Sequence, residues 1–313
     1  MLCAPSDWLS VSYVMLAQAL SGVAKDLNKM SAKSAIKYLV PEGDNQQSQL
    51  YKWIAILTGS KNALKGVGFF LGGLLLTLLG FVGALVALIM LLTIAWIISL
   101  VYLEGDIGKA KNKPKFKALF SKSRAINLLS AARFCLFAAR DVWFVVALPV
   151  YLASQFNWPH WWVSGFMALW VIAYGVVQSQ APKITGKSLV SNDAIKKAFY
   201  WGGVLACVTL LLACLMQLNI AVNTTLIVGL FIFGAAFAIN SSLHSYLIVS
   251  LAKSDGVSLD VGFYYMANAA GRLVGTVLSG FMYKVYGLQA CLWVSASLLL
   301  LVCLITQRLT KQS

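Results

Sequence analysis

Acidic residues are scarce, ten Asp and Glu against 25 Lys and Arg in 313 residues, and all charged types together make up only 11% of the chain. With 60% hydrophobic residues and a mean hydropathy of +0.79, a soluble domain of this size could not cover its apolar surface, so a soluble enzyme is excluded. Only two histidines occur, and the sequence contains no His-Glu-x-x-His, Gly-x-Ser-x-Gly or Walker motif. General acid–base chemistry lacks its carboxylate pair, and a self-powered pump lacks its phosphate loop. The chain is therefore read as neither an enzyme nor a cofactor or metal protein. Six cysteines stand at 3, 135, 207, 214, 291 and 303 without a Cys-x-x-Cys pair, and all but Cys3 lie in apolar runs. They read as small membrane hydrophobes, not as a disulfide framework or a thiolate site.

What is present is a series of apolar runs of the length a helix needs to cross a bilayer, ~20 residues. They fall at 8–24, 63–79, 81–103, 126–153, 161–180, 199–218, 224–251, 257–283 and 288–306. None alternates with the two-residue period of a barrel strand, and a helical bundle then satisfies every backbone polar group in lipid. The expectation is an all-α membrane protein with about nine transmembrane helices.

Basic residues are distributed unevenly between the alternate loops. If the first helix runs inward, the cytoplasmic side receives nineteen of them, among them Lys25, Lys29, Lys33, Lys37, Lys113, Lys183, Lys253 and Arg308, while the outside receives Lys284 alone. This positive-inside bias predicts a multi-pass protein of the cytoplasmic membrane with its C-terminus in the cytoplasm. It also accounts for most of the +15 net charge without nucleic acid. The lysines at 25, 29, 33 and 37 repeat every four residues, giving one cationic stripe if the first helix continues beyond its apolar part. Such a stripe either gathers an anion, touches a partner, or orients the helix against anionic lipid.

Five cations, Lys61, Lys65, Arg133, Arg140 and Arg272, fall inside predicted spans or, for Lys61, at the edge of one. Each costs ~2.5–3.5 kcal/mol at the centre of a helix on insertion scales. Of the ten acids only Asp141 lies well inside a span, so protein carboxylates balance one cation at most. A water-filled cavity that receives a small anion would relieve the deficit. Lys61 and Lys65 are four apart and Arg133 and Arg140 seven apart, which puts each pair on one helix face. Asn240 and Asn268 are intramembrane amides that either contact cargo or join helices. Adjacent helix residues point about 100° apart, so Asp141 is expected to face a cation on another helix rather than Arg140. Asp141 and His244 are proton-coupling candidates, the first equally readable as a salt-bridge partner and the second as a packing residue. Gly271, Gly275 and Gly280 read as close-packing positions, and Pro149 as a bend.

Several stretches carry a resemblance: QALSGVAKDLNKMSAKSAIK at 18–37, LTGSKNALKGVGFFLGG at 57–73, FSKSRAIN at 120–127, AARDVWFVVALP at 138–149 and ANAAGRLVG at 267–275. These resemble the organoarsenical efflux permeases of the major facilitator superfamily, the ArsJ family. The resemblance implies a bundle of twelve helices, of which this chain would lack the first three. It then divides the chain into a partial N-terminal bundle at 1–103, a basic cytoplasmic linker at 104–124 and a C-terminal six-helix bundle at 125–313. It further implies efflux of an anionic arseno-phosphoglycerate ester by alternating access, conferring arsenate resistance beside a glyceraldehyde-phosphate dehydrogenase as functional partner. The same basic cavity would also serve a major facilitator exporter or exchanger of another organophosphate or organic anion.

Overall fold

The computed structural model describes residues 11–41, 43, 45–102, 123–186, 191–252 and 257–310. Within them the chain forms eight helices: α1 Val11–Leu39, α2 Gln46–Tyr102, α3 Arg124–Phe144, α4 Ala147–Ser154, α5 His160–Thr185, α6 Ser191–Gln217, α7 Val222–Leu251 and α8 Val257–Thr310. Most of the linker expected at 104–124, including Lys113, lies outside the described residues.

Two helices are too long for a bilayer. At 1.5 Å per residue the 57 residues of α2 and the 54 of α8 would each extend roughly 80 Å or more, against a hydrocarbon core of about 30 Å. Each is broken at a glycine with positive φ, Gly80 at 66° and Gly287 at 78°, a conformation that a Cβ disfavours. At Gly287 the chain doubles back. The Sγ of Cys291 lies 4.0 Å from the carbonyl of Ser279, a separation along a straight helix of roughly 18 Å. Both arms of α8 then pack on the α3–α4 unit: Ser295 donates to the Ala139 carbonyl at 2.7 Å, and Ser279 accepts from the Ala147 amide at 3.1 Å. That unit is itself interrupted at Val145 and Val146. Pro149 explains the break, since its ring excludes the carbonyl four residues earlier and supplies no N–H.

Six stretches among the described residues are long and apolar enough to span a membrane: Leu74–Tyr102, Arg124–Ser154, Trp161–Thr185, Ser191–Gln217, Val222–Leu251 and Val257–Thr310. The sequence led to an expectation of nine. The difference lies partly in α8, counted once across its break, and partly in the lysine-bearing segments. α1 runs on to Leu39, and α2 begins at Gln46 instead of near 63. The charged residues that precede the expected start of this helix, Lys52 and Lys61, are helical.

Small residues set the closest approaches. A Cβ on Gly59 would stand 2.6 Å from the Gly175 carbonyl, and one on Gly175 2.3 Å from the Ala63 amide, so α2 and α5 touch backbone to backbone. Gly271 and Gly275 do the same against Phe134 and Ala138 of α3, at 2.3 Å and 2.7 Å. Gly280 departs from the expectation: nothing stands within 4 Å of a Cβ there. An aromatic core of Trp143, Trp170, Tyr174, Phe233 and Phe237 fills the bundle on one side of the polar centre described next. Tyr51, Ile54, Ile126, Leu247 and Tyr264 pack on the other.

Candidate anion site

Arg133 stands about nine residues, ~14 Å, into its span, near the middle of a bilayer-length helix. It is 4% exposed. Its Nε donates to Asn268 Oδ1 at 3.2 Å, and its Nη1 donates to the Ser241 carbonyl at 3.2 Å and to Ser241 Oγ at 2.9 Å. The guanidinium lies 4.0 Å from the ring centre of Phe137 and 5.1 Å from that of Tyr264. Every one of these contacts is neutral. Among the described residues no carboxylate pairs with Arg133, so neutral acceptors and ring faces offset only part of the cost of burying the charge.

Ser241 extends the network. Tyr174 donates to its Oγ at 3.2 Å and Gln178 Nε2 at 3.3 Å, while Asn62 donates to Gln178 Oε1 at 2.6 Å. One hydrogen-bonded chain thereby links α2, α5, α7, α3 and α8. Asn62, Tyr174, Gln178 and Ser241 were not singled out from the sequence. The available signal was the run Asn240-Ser241-Ser242-Leu243-His244-Ser245, a polar interruption in an apolar helix, from which only Asn240 and His244 were taken.

A second charged group lies about two turns along α3. Asp141 is fully buried. Its Oδ1 accepts from Arg140 Nε at 2.6 Å and pairs with Arg140 Nη2 at 2.5 Å, and its Oδ2 accepts from Arg272 Nε at 2.9 Å. Arg272 on α8 is the cation on another helix that the sequence called for. The pairing with Arg140 corrects the expectation that neighbours on a helix do not meet: the backbone directions diverge, but a guanidinium is long enough to bend back. The triad carries one net positive charge. Arg140 also rests 4.7 Å from the ring of Phe137, so Arg133 and Arg140 touch the same aromatic side chain.

The other candidates separate. Asn240 donates to the Ala198 carbonyl of α6 at 3.1 Å and joins helices, away from Arg133. His244 is fully buried, and neither ring nitrogen has a hydrogen-bond partner. Lys61 lines a cavity of about 380 Å³ between α1, α2 and α8. Lys65, one turn further along α2, is exposed. The lysine stripe of α1 is not simply a solvated face, because Lys33 is 3% exposed within the bundle.

Residues 191–312 match the family model described as Major Facilitator Superfamily. Among solved structures, the chain is similar to the crystal structure of a bacterial homologue of the iron transporter ferroportin in an outward-facing state. The identity is 16% and the TM-score 0.72, over 99% of this chain and 76% of that one. No curated protein matches the chain. Among the described residues the fold is thus an all-helical bundle with six candidate membrane spans, similar to that of this transporter structure, and residues 191–312 carry the likeness to the Major Facilitator Superfamily. These likenesses reach the superfamily fold and not the ArsJ family.

Proposed function

We propose that the chain is a secondary-active transporter that moves a small organic anion by alternating access, and that it catalyses no chemical reaction. The observation that carries this reading is Arg133, a buried cation at mid-span held only by neutral groups from α7, α8 and its own helix. An arriving anion supplies the missing counter-charge, and an arginine can offer it paired donors. A metal cation would meet the opposite field, since Arg140 and Arg272 already occupy the buried carboxylate of Asp141 and Arg133 adds a further positive charge.

The finer reading follows the motif resemblance: the cargo is an arseno-phosphoglycerate ester, exported beside a glyceraldehyde-phosphate dehydrogenase that makes it. On this reading the protein sits in the cytoplasmic membrane with its C-terminus inside, and residues 1–103 and 125–313 are the two bodies that rock about the site. The test is to co-express the chain with such a dehydrogenase in arsenate-sensitive cells and measure arsenic retained and exported. Efflux that depends on both proteins and on Arg133 supports the proposal. Retention equal to that of cells without the chain overturns the arsenical cargo, and exchange of another organophosphate in vesicles would then assign the alternative.

A further inference from the structure

Three lysines of the α1 stripe, Lys25, Lys29 and Lys33, converge on the cavity of about 380 Å³ whose lining also includes Asn28, Lys61 and Tyr265. Spacing of four residues sets Lys25, Lys29 and Lys33 about one turn apart, a ladder roughly 12 Å long. Lys25 and Lys61 are exposed at the rim, Lys29 is half-buried, and Lys33 is buried at the floor. Asp26 pairs with Lys29, which among the described residues leaves Lys25, Lys33 and Lys61 without a paired carboxylate.

Lys33 decides the chemistry. Among the described residues its Nζ has no hydrogen-bond partner, and it stands over the face of Tyr265, 5.2 Å from the ring centre. An ammonium offers three donors and no acceptor, so burial without an oxygen partner is costly until a ligand brings one. α1 is held in this position by contacts that do not use the cavity: Met30 packs on Gly262 of α8, and Lys37 donates to the Ala252 carbonyl. The floor also adjoins the Arg133 centre. Tyr265 lies under Lys33, Tyr264 lies under Arg133, and their ring centres are 5.9 Å apart.

We propose that this lysine cavity is a binding site for a phosphate-type dianion, with Lys33 at its floor and Lys29, Lys61 and Lys25 gathering the remaining oxygens. The volume is in the range of small-molecule sites, and the graded exposure from rim to floor draws the group inward. The site deepens the reading of the chain as an organic-anion transporter and rests on it for the nature of the cargo. Binding, however, is measured without transport, so the two can fail separately. The same oxyanion chemistry is offered by a soluble phosphate monoester and by the headgroup of an anionic lipid.

The experiment titrates sn-glycerol 3-phosphate and inorganic phosphate into the purified chain in phosphatidylcholine nanodiscs, read by calorimetry. Saturable, salt-sensitive binding is expected, weakened at least tenfold by Lys33→Gln and several-fold by Lys61→Gln. Lys33→Arg, which keeps the charge, should hold most of it, and Lys284→Gln, remote from the cavity, should leave it unchanged. Arg133→Gln weakens transport on the reading above but retains most phosphate binding. A Lys33→Gln protein that has lost its fold is recognised by its melting curve, and Lys61→Gln at the rim then carries the test. Retention of phosphatidylglycerol with the same dependence on Lys33 and Lys61, and no binding of the soluble esters, assigns the site to a lipid headgroup and removes the cargo role. Binding of neither, or equal binding by the Lys33 and Lys61 variants, overturns the site; equal loss in Arg133→Gln shows a single site at Arg133 instead.

Discussion

Arg272 donates to the buried carboxylate of Asp141 across 2.9 Å, although 131 residues separate them in sequence. This ion pair ties the first arm of α8 to α3 beside the glycine contacts at 271 and 275. With Arg140 on the other oxygen, Asp141 has both oxygens engaged by guanidinium groups.

The arrangement favours a structural role for Asp141. Asp141→Asn leaves Arg140 facing a neutral amide in a buried place, and breaking a buried pair in this way costs about 3–5 kcal/mol. The expected outcome is a lower melting temperature and lower membrane abundance. Arg272→Gln should be milder, since Arg272 is 44% exposed and Arg140 still holds the carboxylate. In the double variant part of the loss should return, because the unpaired cation has been removed as well. A stable Asp141→Asn protein that still exchanges anion but no longer responds to a proton gradient would instead make Asp141 the coupling group.

Arg133 is expected to behave differently. Its partners are neutral, so Arg133→Gln should fold at near-normal abundance while apparent affinity for transported anion falls at least tenfold, the loss of one charge-assisted hydrogen bond of roughly 1.5–3 kcal/mol. Arg133→Lys should recover only part, because an ammonium cannot span Asn268 and Ser241 in the planar fork of a guanidinium. Uptake into vesicles at matched expression measures both; unchanged transport by the Gln variant would remove Arg133 from the site.

Legibility of these features in the sequence follows from how local each one is. Charges in apolar runs stand out, so Arg133, Asp141 and Arg272 were found before any fold was known. Ser241, Tyr174 and Gln178 were not, because hydroxyl and amide residues are common in membrane helices and become a site only where α5 and α7 bring them to one guanidinium. The start of α2 lies earlier than hydropathy predicts because Lys52 and Lys61 count against an apolar run, although both are helical and exposed. The burial of Lys33 depends on Tyr265, more than 200 positions away, and no local pattern encodes that contact.

Helix contacts make a prediction about packing. Gly175→Ala places a methyl group 2.3 Å from the Ala63 amide, and backbone cannot yield as a side chain can. Overpacking of this kind costs about 1–3 kcal/mol, so the α2–α5 contact should loosen and the melting temperature fall. Gly280→Ala, with open space at its Cβ, should be neutral or stabilising by up to ~1 kcal/mol through helix propensity. Thermal melts of the two variants in one detergent give the comparison, and equal melting temperatures would show that α2 and α5 are not in contact as described.

Orientation is the last expectation open to a direct test, and it rests on the lysine asymmetry alone. All six native cysteines, of which Cys207 and Cys214 are free and exposed, must first be replaced, and a single introduced cysteine can then report one site. At Asn157, an exposed residue in the turn between α4 and α5, a cysteine should react with a membrane-impermeant maleimide added to intact cells. At Lys113 it should react only after the membrane is opened. The opposite pattern at both sites would invert the protein in the membrane and turn the C-terminus outward. It would also place the basic stretch around Lys113 outside, against the charge bias from which the orientation was inferred.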